Sequence, residues 1–331
     1  MIKSFKNKTI LVTGGTGTFG SYFIEKFIKQ HSNFKKIIIF SRDEFKQYNL
    51  KKKLKNYKNF NKVRFFIGDI RDKSRVDDAF KAVDVIIHTA ALKQIDTAEY
   101  NPTEFINTNI NGSKNIIDNA IHNNIKKVIF LSTDKACSPV NLYGATKFCA
   151  ERLFLSANNY VGKRIFTVIR YGNVFGSRGS VAPLFLEQKK NKILTITNRE
   201  MTRFSIELDE CYEMVMWTLK NTLGGEIVIP KLKSYKVTDL AKAVDQNCKI
   251  RIIGMRPSEK VHEELINEKE AEVLLNLKKY YIITTKALVK SYQKSSLKFK
   301  IINSINYNSK ENKSYLNIID LKKMIQNLEK L

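Results

Sequence analysis

A tyrosine and a lysine four residues apart carry the clearest chemical signal in the sequence. Tyr143 and Lys147 open a predicted helix, and their spacing puts both side chains on one face. A tyrosine, with an ordinary pKa of about 10, acts as a base only after losing its proton, and a neighbouring ammonium favours that loss. Such a pair is common by chance, so its meaning depends on the residues around it.

A hydroxyl, an acid and an amine follow the strand that precedes this helix. Thr133, Asp134 and Lys135 lie at the end of the predicted strand at residues 127–132. Sites in α/β proteins form at the carboxyl ends of sheet strands. Spacing alone also fits a solvated Asp-Lys pair in a surface loop. We treat these three residues, with the tyrosine and the lysine, as candidate catalytic residues.

A glycine-rich turn links the first predicted strand, at residues 9–12, to an amphipathic helix. The turn reads Thr13-Gly14-Gly15-Thr16-Gly17-Thr18-Phe19-Gly20. Glycines allow a tight turn and let backbone amides approach a pyrophosphate, whose charge the helix N-terminus favours. The strand before and the helix after make this a dinucleotide-binding fingerprint. A bound nicotinamide cation and Lys147 would share the roughly 4 kcal/mol that brings a tyrosine pKa to about 7.

The ends of the next strands predict which dinucleotide binds. The second strand ends in Ser41 and Arg42, about 20 residues after the last glycine. A hydroxyl and a guanidinium suit the 2′-phosphate of NADP, although Asp43 keeps NAD open as the alternative. Further cofactor contacts are predicted where the third and fourth strands end, at Asp69, Thr89 and Ala90.

The elements that must position these residues alternate between short apolar strands and helical segments, as in a parallel sheet covered by helices. Strands are predicted at residues 9–12, 36–40, 63–67, 83–87, 127–132 and 165–170, and helices at 105–123 and 143–159. The sequence predicts an α/β protein with a Rossmann-type doubly wound parallel sheet and a smaller C-terminal α/β substrate domain. We expect the NADP-binding domain at residues 1–175, which a strand near 226–230 rejoins, and the substrate domain at 176–331. Its polar, lysine-rich residues 291–313 predict a mobile linker before a last helix.

Composition narrows the class of protein without indicating a reaction. The formal net charge is +26, but the excess is mostly lysine spread along the chain, with no basic motif interleaved with aromatic residues, which argues against nucleic acid as a partner. No apolar run could cross a bilayer and no signal peptide is visible, so we expect a cytoplasmic protein without a membrane partner. Four cysteines without a C-x-x-C pair and four scattered histidines predict no bound metal.

Several longer stretches give the chain a specific resemblance. They include FSRDE at 40–44, AALKQ at 90–94, EYNP at 99–102, LSTDKA at 131–136, RYGNV at 170–174 and MTRF at 201–204. From residue 13 to about 264 the chain resembles the inverting UDP-N-acetylglucosamine 4,6-dehydratases of the pseudaminic acid pathway, in the extended short-chain dehydrogenase/reductase family. Retaining relatives usually carry methionine where this chain has Tyr143, so the tyrosine favours the inverting class.

The resemblance implies a lyase reaction without net oxidation. Tyr143 would take the O4 proton while C4 gives a hydride to NADP, and Thr133 would orient O4. Lys135 would remove the C5 hydrogen while Asp134 protonates the departing 6-hydroxyl. Return of the hydride to C6 and reprotonation of C5 from the opposite face would give UDP-2-acetamido-2,6-dideoxy-β-L-arabino-hex-4-ulose. Members of the family assemble as homo-oligomers, so a dimer or hexamer is expected.

The resemblance also implies the binding residues. Those for the cofactor are Gly14, Thr16, Gly17, Thr18, Phe19, Gly20, Ser41, Arg42, Asp43, Glu44, Lys46, Asp69, Ile70, Thr89, Ala90, Lys93, Asn109, Tyr143, Lys147 and Val174. Those for the substrate UDP-N-acetylglucosamine are Lys93, Asn173, Arg178, Gly179, Ser180, Val181, Thr197, Arg203 and Arg256. The chemistry of arginine independently supports the arginines among them as diphosphate contacts, because its planar guanidinium matches phosphate oxygens.

Two alternatives stay open on the sequence. A nucleotide-sugar 4-epimerase shares the fold, Tyr143 and Lys147, but needs neither Asp134 nor Lys135. A non-catalytic NADP-binding regulatory protein has no need of a complete threonine, tyrosine and lysine set.

Overall fold

Strands and helices alternate along most of the chain in a computed structural model, which describes residues 1–2, 4–162 and 165–329. The strands are β1 (Thr9–Thr13), β2 (Lys36–Ser41), β3 (Val63–Ile67), β4 (Val85–His88), β5 (Lys127–Leu131), β6 (Phe166–Ile169), β7 (Asn173–Val174), β8 (Ile193–Ile196), β9 (Thr202–Ile206), β10 (Ile227–Pro230), β11 (Lys233–Lys236), β12 (Lys249–Ile252), β13 (Glu264–Ile266), β14 (Val273–Asn276), β15 (Tyr280–Thr284), β16 (Lys300–Ile302) and β17 (Tyr307–Asn308). The α-helices are α1 (Thr18–Gln30), α2 (Glu44–Leu54), α3 (Lys73–Phe80), α4 (Ile95–Tyr100), α5 (Pro102–Phe105), α6 (Gly112–His122), α7 (Leu142–Ala157), α8 (Val181–Lys189), α9 (Leu208–Asn221), α10 (Val237–Val244), α11 (Lys286–Gln293) and α12 (Ile318–Glu329). Short 3₁₀ turns lie at Phe60–Lys62 and Asp134–Ala136, and a π-helical turn lies at Ile106–Asn111.

One ten-stranded sheet organises the molecule, in the order β16-β14-β15-β10-β6-β5-β4-β1-β2-β3. The seven strands from β10 to β3 run parallel, and the remaining three run antiparallel to their neighbours. Every residue of β1 and β5 is buried, as in strands covered on both faces. The predicted Rossmann-type α/β fold class is confirmed. The strand order reverses between β1 and β4, and the carboxyl ends of strands at such a point form a crevice for ligands.

Residues beyond the predicted boundary at 175 also join this sheet. β10 pairs in parallel with β6, and β14, β15 and β16 extend the sheet past it. The segment at 291–313 is not the expected linker, because it contains β16 and β17, which pair with β14 and β13. Its polar, lysine-rich composition misled the prediction, since strand pairing uses backbone groups and does not require apolar side chains.

A small lobe stands against the carboxyl ends of the parallel strands. We define it as α8, β8, α10, β12 and α12, which share an apolar core separate from that of the main sheet. Leu194, Leu240 and Leu321 are fully buried in this core. No helix in the described part of the chain is long and apolar enough to cross a membrane.

A buried arginine ties helix α7 to the sheet. Arg170 follows β6 and is fully buried. Its guanidinium donates to both carboxylate oxygens of Glu151, at 3.0 and 2.5 Å, and to both of Glu270, at 2.7 and 2.6 Å. It also donates to the Leu265 carbonyl at 3.0 Å. Bidentate Arg–carboxylate pairs fix geometry as well as charge, so the network holds in place the helix that begins beside Tyr143.

Replacing Arg170 tests how much stability this network supplies. Arg170→Met keeps an apolar chain but leaves the buried Glu151 without a guanidinium partner and Glu270 with Arg152 alone. We expect the free energy of unfolding to fall by about 3–5 kcal/mol, the range for breaking a buried ion pair. Urea titration followed by circular dichroism measures the change.

The matched control is Arg152→Met. Arg152 also pairs with Glu270, at 2.7 Å, but its side chain is 44% exposed, and exposed pairs contribute about 0–1 kcal/mol. Equal losses in the two variants would contradict a special role for the buried network.

Candidate active site

A cavity of about 810 Å³ lies where the parallel strands end. Its wall is built from the segments that follow β1 to β6 and from α8, β8 and α10 of the small lobe. It gathers every predicted substrate-binding residue and all the predicted cofactor-binding residues except Glu44 and Asn109. Four of the five predicted catalytic residues line it, and the fifth, Asp134, is fully buried behind Thr133 and Lys135.

The glycine turn forms a cradle whose backbone packs too closely for side chains. Gly14 has a φ of +64°, and a Cβ there would lie 2.8 Å from the backbone nitrogen of Ala90. A Cβ on Gly20 would lie 2.5 Å from the carbonyl oxygen of Gly14. Gly17 precedes the first residue of α1, whose first turn contains no acidic side chain. The turn and the first residues of α1 line the cavity, so the positive end of the helix dipole lies beside it, which suits a pyrophosphate.

The side chains after β2 leave a cation available at the far end of this cradle. Asp43 caps α2, accepting from the backbone nitrogen of Lys46 at 2.9 Å, and pairs with the Lys46 ammonium at 2.6 Å. Its carboxylate is thus engaged within the protein. The Arg42 guanidinium is half exposed and lies 3.5 Å from an oxygen of Asp69. Glu44 begins α2 but does not line the cavity.

Asn109 lies under the cavity wall and contributes by positioning. Its amide donates to the Leu92 carbonyl at 2.9 Å and to the Thr146 hydroxyl at 3.0 Å, and its oxygen accepts from the Leu92 nitrogen at 2.9 Å. Asn109 is buried. These bonds tie the loop that carries Lys93 to helix α7, and they occupy the side chain that the resemblance assigns to the cofactor.

Tyr143 and Lys147 lie on the buried face of α7, which Asn141 caps by accepting from the Gly144 nitrogen at 2.8 Å. Lys147 donates to the Leu131 carbonyl at 2.8 Å. Burial lowers the pKa of Lys147 to about 7, although the Glu151 carboxylate opposes this. Burial raises the pKa of Tyr143 to about 12.

The cation that opposes this rise in the pKa of Tyr143 is Lys135, with a hydrogen bond from Thr133 as a further lowering effect. This differs from the sequence expectation, which gave the role to Lys147. The Lys147 ammonium donates to a backbone carbonyl, and burial lowers its pKa, so that it is only partly charged near neutral pH. The pKa of the tyrosine therefore depends on the loop after β5 as well as on its own helix.

The loop after β5 forms a compact cluster of ionisable and polar side chains. The Lys135 ammonium lies 3.1 Å from Asp134 Oδ1 and 3.2 Å from Asn173 Oδ1, and it is held on the floor of the cavity. The Thr133 hydroxyl donates to Asp134 Oδ1 at 2.9 Å. The other oxygen of Asp134 is buried and has no partner in the described structure. Because Thr133 and Lys135 line the cavity, a proton on Asp134 reaches it through one of these two side chains.

Sequence reasoning missed one charged member of this cluster. Glu263 is 3% exposed, lines the cavity and places Oε1 3.2 Å from the Lys135 ammonium. In the sequence it stands in a polar run beside His262 and Glu264, where a carboxylate usually faces solvent. Only its place within residues 13 to about 264, over which the chain resembles the dehydratase family, could have drawn attention to it.

Cations surround the part of the cavity nearest the small lobe. Lys93 donates to the Arg178 carbonyl at 2.7 Å, and the Arg178 guanidinium donates to the Thr16 carbonyl in the glycine turn at 3.2 Å. Burial, together with the charges of Lys135 and Arg178, lowers the pKa of Lys93. The buried Ser180 hydroxyl has no hydrogen-bond partner among the described residues. These groups suit an anionic ligand that lies beside the glycine turn.

Two further predicted arginines are engaged within the protein. Arg203 donates to the carbonyls of Thr202 and Val261, at 2.8 and 2.9 Å, so it joins β9 to the segment before β13. Arg256 lies 3.5 Å from Asp96 across the cavity mouth, and both side chains are more than half exposed. Arg256 is the freer of the two to bind a ligand.

Comparisons with known proteins agree with this geometry. The family model described as polysaccharide biosynthesis protein matches residues 10–285. An inverting UDP-N-acetylglucosamine 4,6-dehydratase of Campylobacter jejuni subsp. jejuni serotype O:2 is 46% identical over 284 residues, covering 85% of this chain and 84% of the relative. A UDP-glucose 4-epimerase of Rickettsia bellii is 40% identical over 336 residues, covering 98% and 97%.

A solved structure is similar over nearly the whole chain. The X-ray structure of Pen from Bacillus thuringiensis has a TM-score of 0.87 and 36% identity, covering 98% of this chain and 99% of the other. The resemblance to inverting UDP-N-acetylglucosamine 4,6-dehydratases is confirmed by the Campylobacter relative. Because the family model also spans most of its length, this chain belongs to the polysaccharide biosynthesis protein family.

Proposed function

We propose that this protein is an inverting UDP-N-acetylglucosamine 4,6-dehydratase. The observation that carries the proposal is the Asp134–Lys135 pair, joined at 3.1 Å on the cavity floor beside Tyr143. An epimerase oxidises and reduces the same carbon and needs only the tyrosine and its lysine. A second acid–base pair is needed when a hydrogen and a hydroxyl must also leave neighbouring carbons.

The first step in this proposal is loss of the O4 proton to Tyr143. The cation of Lys135 and the Thr133 hydroxyl favour the phenolate, against the burial that raises its pKa to about 12. When bound, the nicotinamide cofactor supplies the acceptor for the C4 hydride and the donor that returns it to C6. Lys147 and Asn109 keep the tyrosine and the neighbouring loop in register.

The second step is loss of water across C5 and C6. The 4-ketone acidifies the C5 hydrogen, which Lys135 removes in its neutral form. Proton transfer from the Lys135 ammonium to Asp134, across 3.1 Å, creates a neutral base and a protonated acid together. The acid's proton then reaches the departing hydroxyl through Thr133, whose hydroxyl is 2.9 Å from the same carboxylate.

We propose NADP as the cofactor, bound from the glycine cradle to the end of β2. The cradle suits a pyrophosphate because Gly14 and Gly20 let its backbone fold tightly at the start of α1: a Cβ at either position would lie within 3 Å of backbone atoms. Arg42 and Lys46 are half-exposed cations at the adenosine end. Asp43, the acid that would favour NAD, is already bound to the helix that it caps. The cationic groups around Lys93 and Arg178 would hold the diphosphate of the substrate.

The reaction itself is the first test. Purified protein with NADP and UDP-N-acetylglucosamine should give a 6-deoxy-4-keto sugar that has lost one water. In deuterated water the product should carry deuterium at C5, because that centre is deprotonated and reprotonated. Mass spectrometry and proton NMR measure both results. A product that keeps its water and is inverted at C4 would contradict the proposal and favour the 4-epimerase.

Substitutions should distinguish oxidation at C4 from deprotonation at C5. Lys135→Ala should abolish deuterium entry at C5, while oxidation at C4, followed by nicotinamide absorbance after rapid mixing, should be slowed but still measurable, because Tyr143 is intact and loses only the charge of Lys135 that favours its phenolate. Tyr143→Phe is the matched variant and should lose both signals. Deuterium entry at the parental rate in Lys135→Ala would show that another residue is the base.

Cofactor choice is tested on the substrate-free protein. Arg42→Ala should weaken NADP binding about tenfold, equal to about 1.4 kcal/mol, and leave NAD binding within about twofold. Isothermal titration calorimetry with each dinucleotide measures this. Arg64→Ala is the control, since Arg64 bonds to the carbonyls of Asn61 and Val63 outside the cavity. Equal losses for both dinucleotides in Arg42→Ala would contradict a contact with the 2′-phosphate.

A further inference from the structure

The proposed reaction assigns no role to one buried carboxylate in the cavity floor. Glu263 places Oε1 3.2 Å from the Lys135 ammonium, nearly the same distance as Asp134 on the same ammonium. Its Oε2 is buried and has no partner in the described structure. A general acid and a general base account for Asp134 and Lys135, so a third ionisable group beside them is unexplained.

The backbone and a second cation hold Glu263 in place. Its backbone nitrogen donates to the Ser309 hydroxyl at 2.9 Å, and its carbonyl accepts from the Ser309 nitrogen at 2.8 Å. Arg203 lies 3.7 Å from the same Oε1. The carboxylate is therefore a fixed feature of the cavity floor.

Burial and neighbouring charges shift the pKa values of the Asp134 and Glu263 carboxylates in opposite directions. Burial raises the pKa of Asp134, and the negative charge of Glu263 raises it further, against the opposing effect of Lys135. For Glu263, the charges of Lys135, Arg203 and Lys260 outweigh burial and lower its pKa. Two anions beside one ammonium are not equivalent: Asp134 takes a proton more readily, and Glu263 keeps its charge.

We propose that Glu263 is a positioning residue of the dehydration site, whose fixed carboxylate stabilises the ammonium that forms when Lys135 takes the C5 proton. This inference rests on the proposed dehydratase function. A charge placed in advance where the transition state develops its opposite lowers the barrier, most of all in a site with little water. With Glu263 as the permanent counter-ion, Asp134 is free to carry the proton for the departing hydroxyl.

Bonds and protons balance in the dehydration step. The C5–H bond breaks and a bond from Lys135 Nζ to hydrogen forms, while the electron pair of C5 becomes the second bond between C5 and C6. The C6–O bond breaks, and the oxygen leaves as water with the proton that Asp134 supplies through Thr133. Glu263 gains and loses no bond, but it faces a neutral amine before the step and an ammonium after it.

A neutral isostere tests this role through pH dependence. Removing the negative charge of Glu263 lowers the pKa of both Asp134 and Lys135, since the carboxylate raises both. The acid and alkaline limbs of the dehydration rate should both move to lower pH in Glu263→Gln, by about one unit. The dehydration rate at its optimum should fall about 100-fold, whereas C4 oxidation should not fall, because the charge of Glu263 raises the pKa of Tyr143 and its loss favours the phenolate. A lower rate with unmoved limbs would overturn the proposal.

Two matched variants separate charge from structure. Glu263→Asp keeps the charge, so its limbs should return toward those of the parent. Glu264→Gln makes the same substitution one residue later, where the carboxylate lies beside the Cys137 thiol and not on the cavity wall, and it should leave the limbs in place. A Glu263→Asp profile that matches Glu263→Gln would also overturn the proposal.

A measurement without substrate keeps this inference separate from the reaction. The Asp134 carboxyl can be titrated by NMR with isotope-labelled aspartate, assigned by its loss in Asp134→Asn. Its titration should move to lower pH in Glu263→Gln and stay in place in Glu264→Gln. An unmoved titration overturns the coupling, whatever sugar the enzyme uses. A moved titration in a protein that leaves UDP-N-acetylglucosamine unchanged supports the coupling and refutes the proposed reaction.

Discussion

The site depends on one buried arginine at the end of a central strand. Arg170 bonds at once to Glu151 on helix α7 and to Glu270 and the Leu265 carbonyl in the C-terminal segment. These partners are 19 to 100 residues away along the chain. Because α7 carries the tyrosine and the same C-terminal segment carries Glu263, a single guanidinium sets the relative positions of both sides of the cavity floor. Such a network is costly to desolvate. Removing one partner is more costly still, because it leaves a buried charge without its counter-ion.

Burial and charge act in opposite directions on the two lysines of the site. Lys147 is buried with one carboxylate, Glu151, which is already bound to Arg170, so desolvation prevails and its pKa falls to about 7. Lys135 is buried between two carboxylates, and their charges prevail over desolvation and raise its pKa. The pKa of Lys147 therefore lies near neutral pH, whereas Lys135 is held as an ammonium, within hydrogen-bond distance of Asp134. Identical side chains therefore differ in pKa because their neighbours differ.

The motifs determined much of the fold and part of the site. The glycine turn, the apolar strands and the spacing of Tyr143 and Lys147 are local patterns, because a strand, a turn and a helix face are each specified by a few consecutive residues. The strands of the Rossmann-type sheet were therefore predictable to within a few residues, as β3 shows at 63–67. The predicted helix at 105–123 is instead split by a π-helical turn at Ile106–Asn111, which places Asn109 beneath the loop it holds.

Only the tertiary structure decided which charges from distant parts of the chain come together. The sequence by itself determined that Asp134 and Lys135 follow a sheet strand, but it could not say that Glu263 completes their cluster 128 residues beyond Lys135. It also could not show that β16, in the polar, lysine-rich segment, pairs with β14 at the edge of the sheet, since a polar segment pairs through its backbone as well as an apolar one does. Electrostatic environment depends on burial and on distances through space, and neither can be read from local spacing. The chemistry of each titratable group therefore became definite only once the fold had set its neighbours.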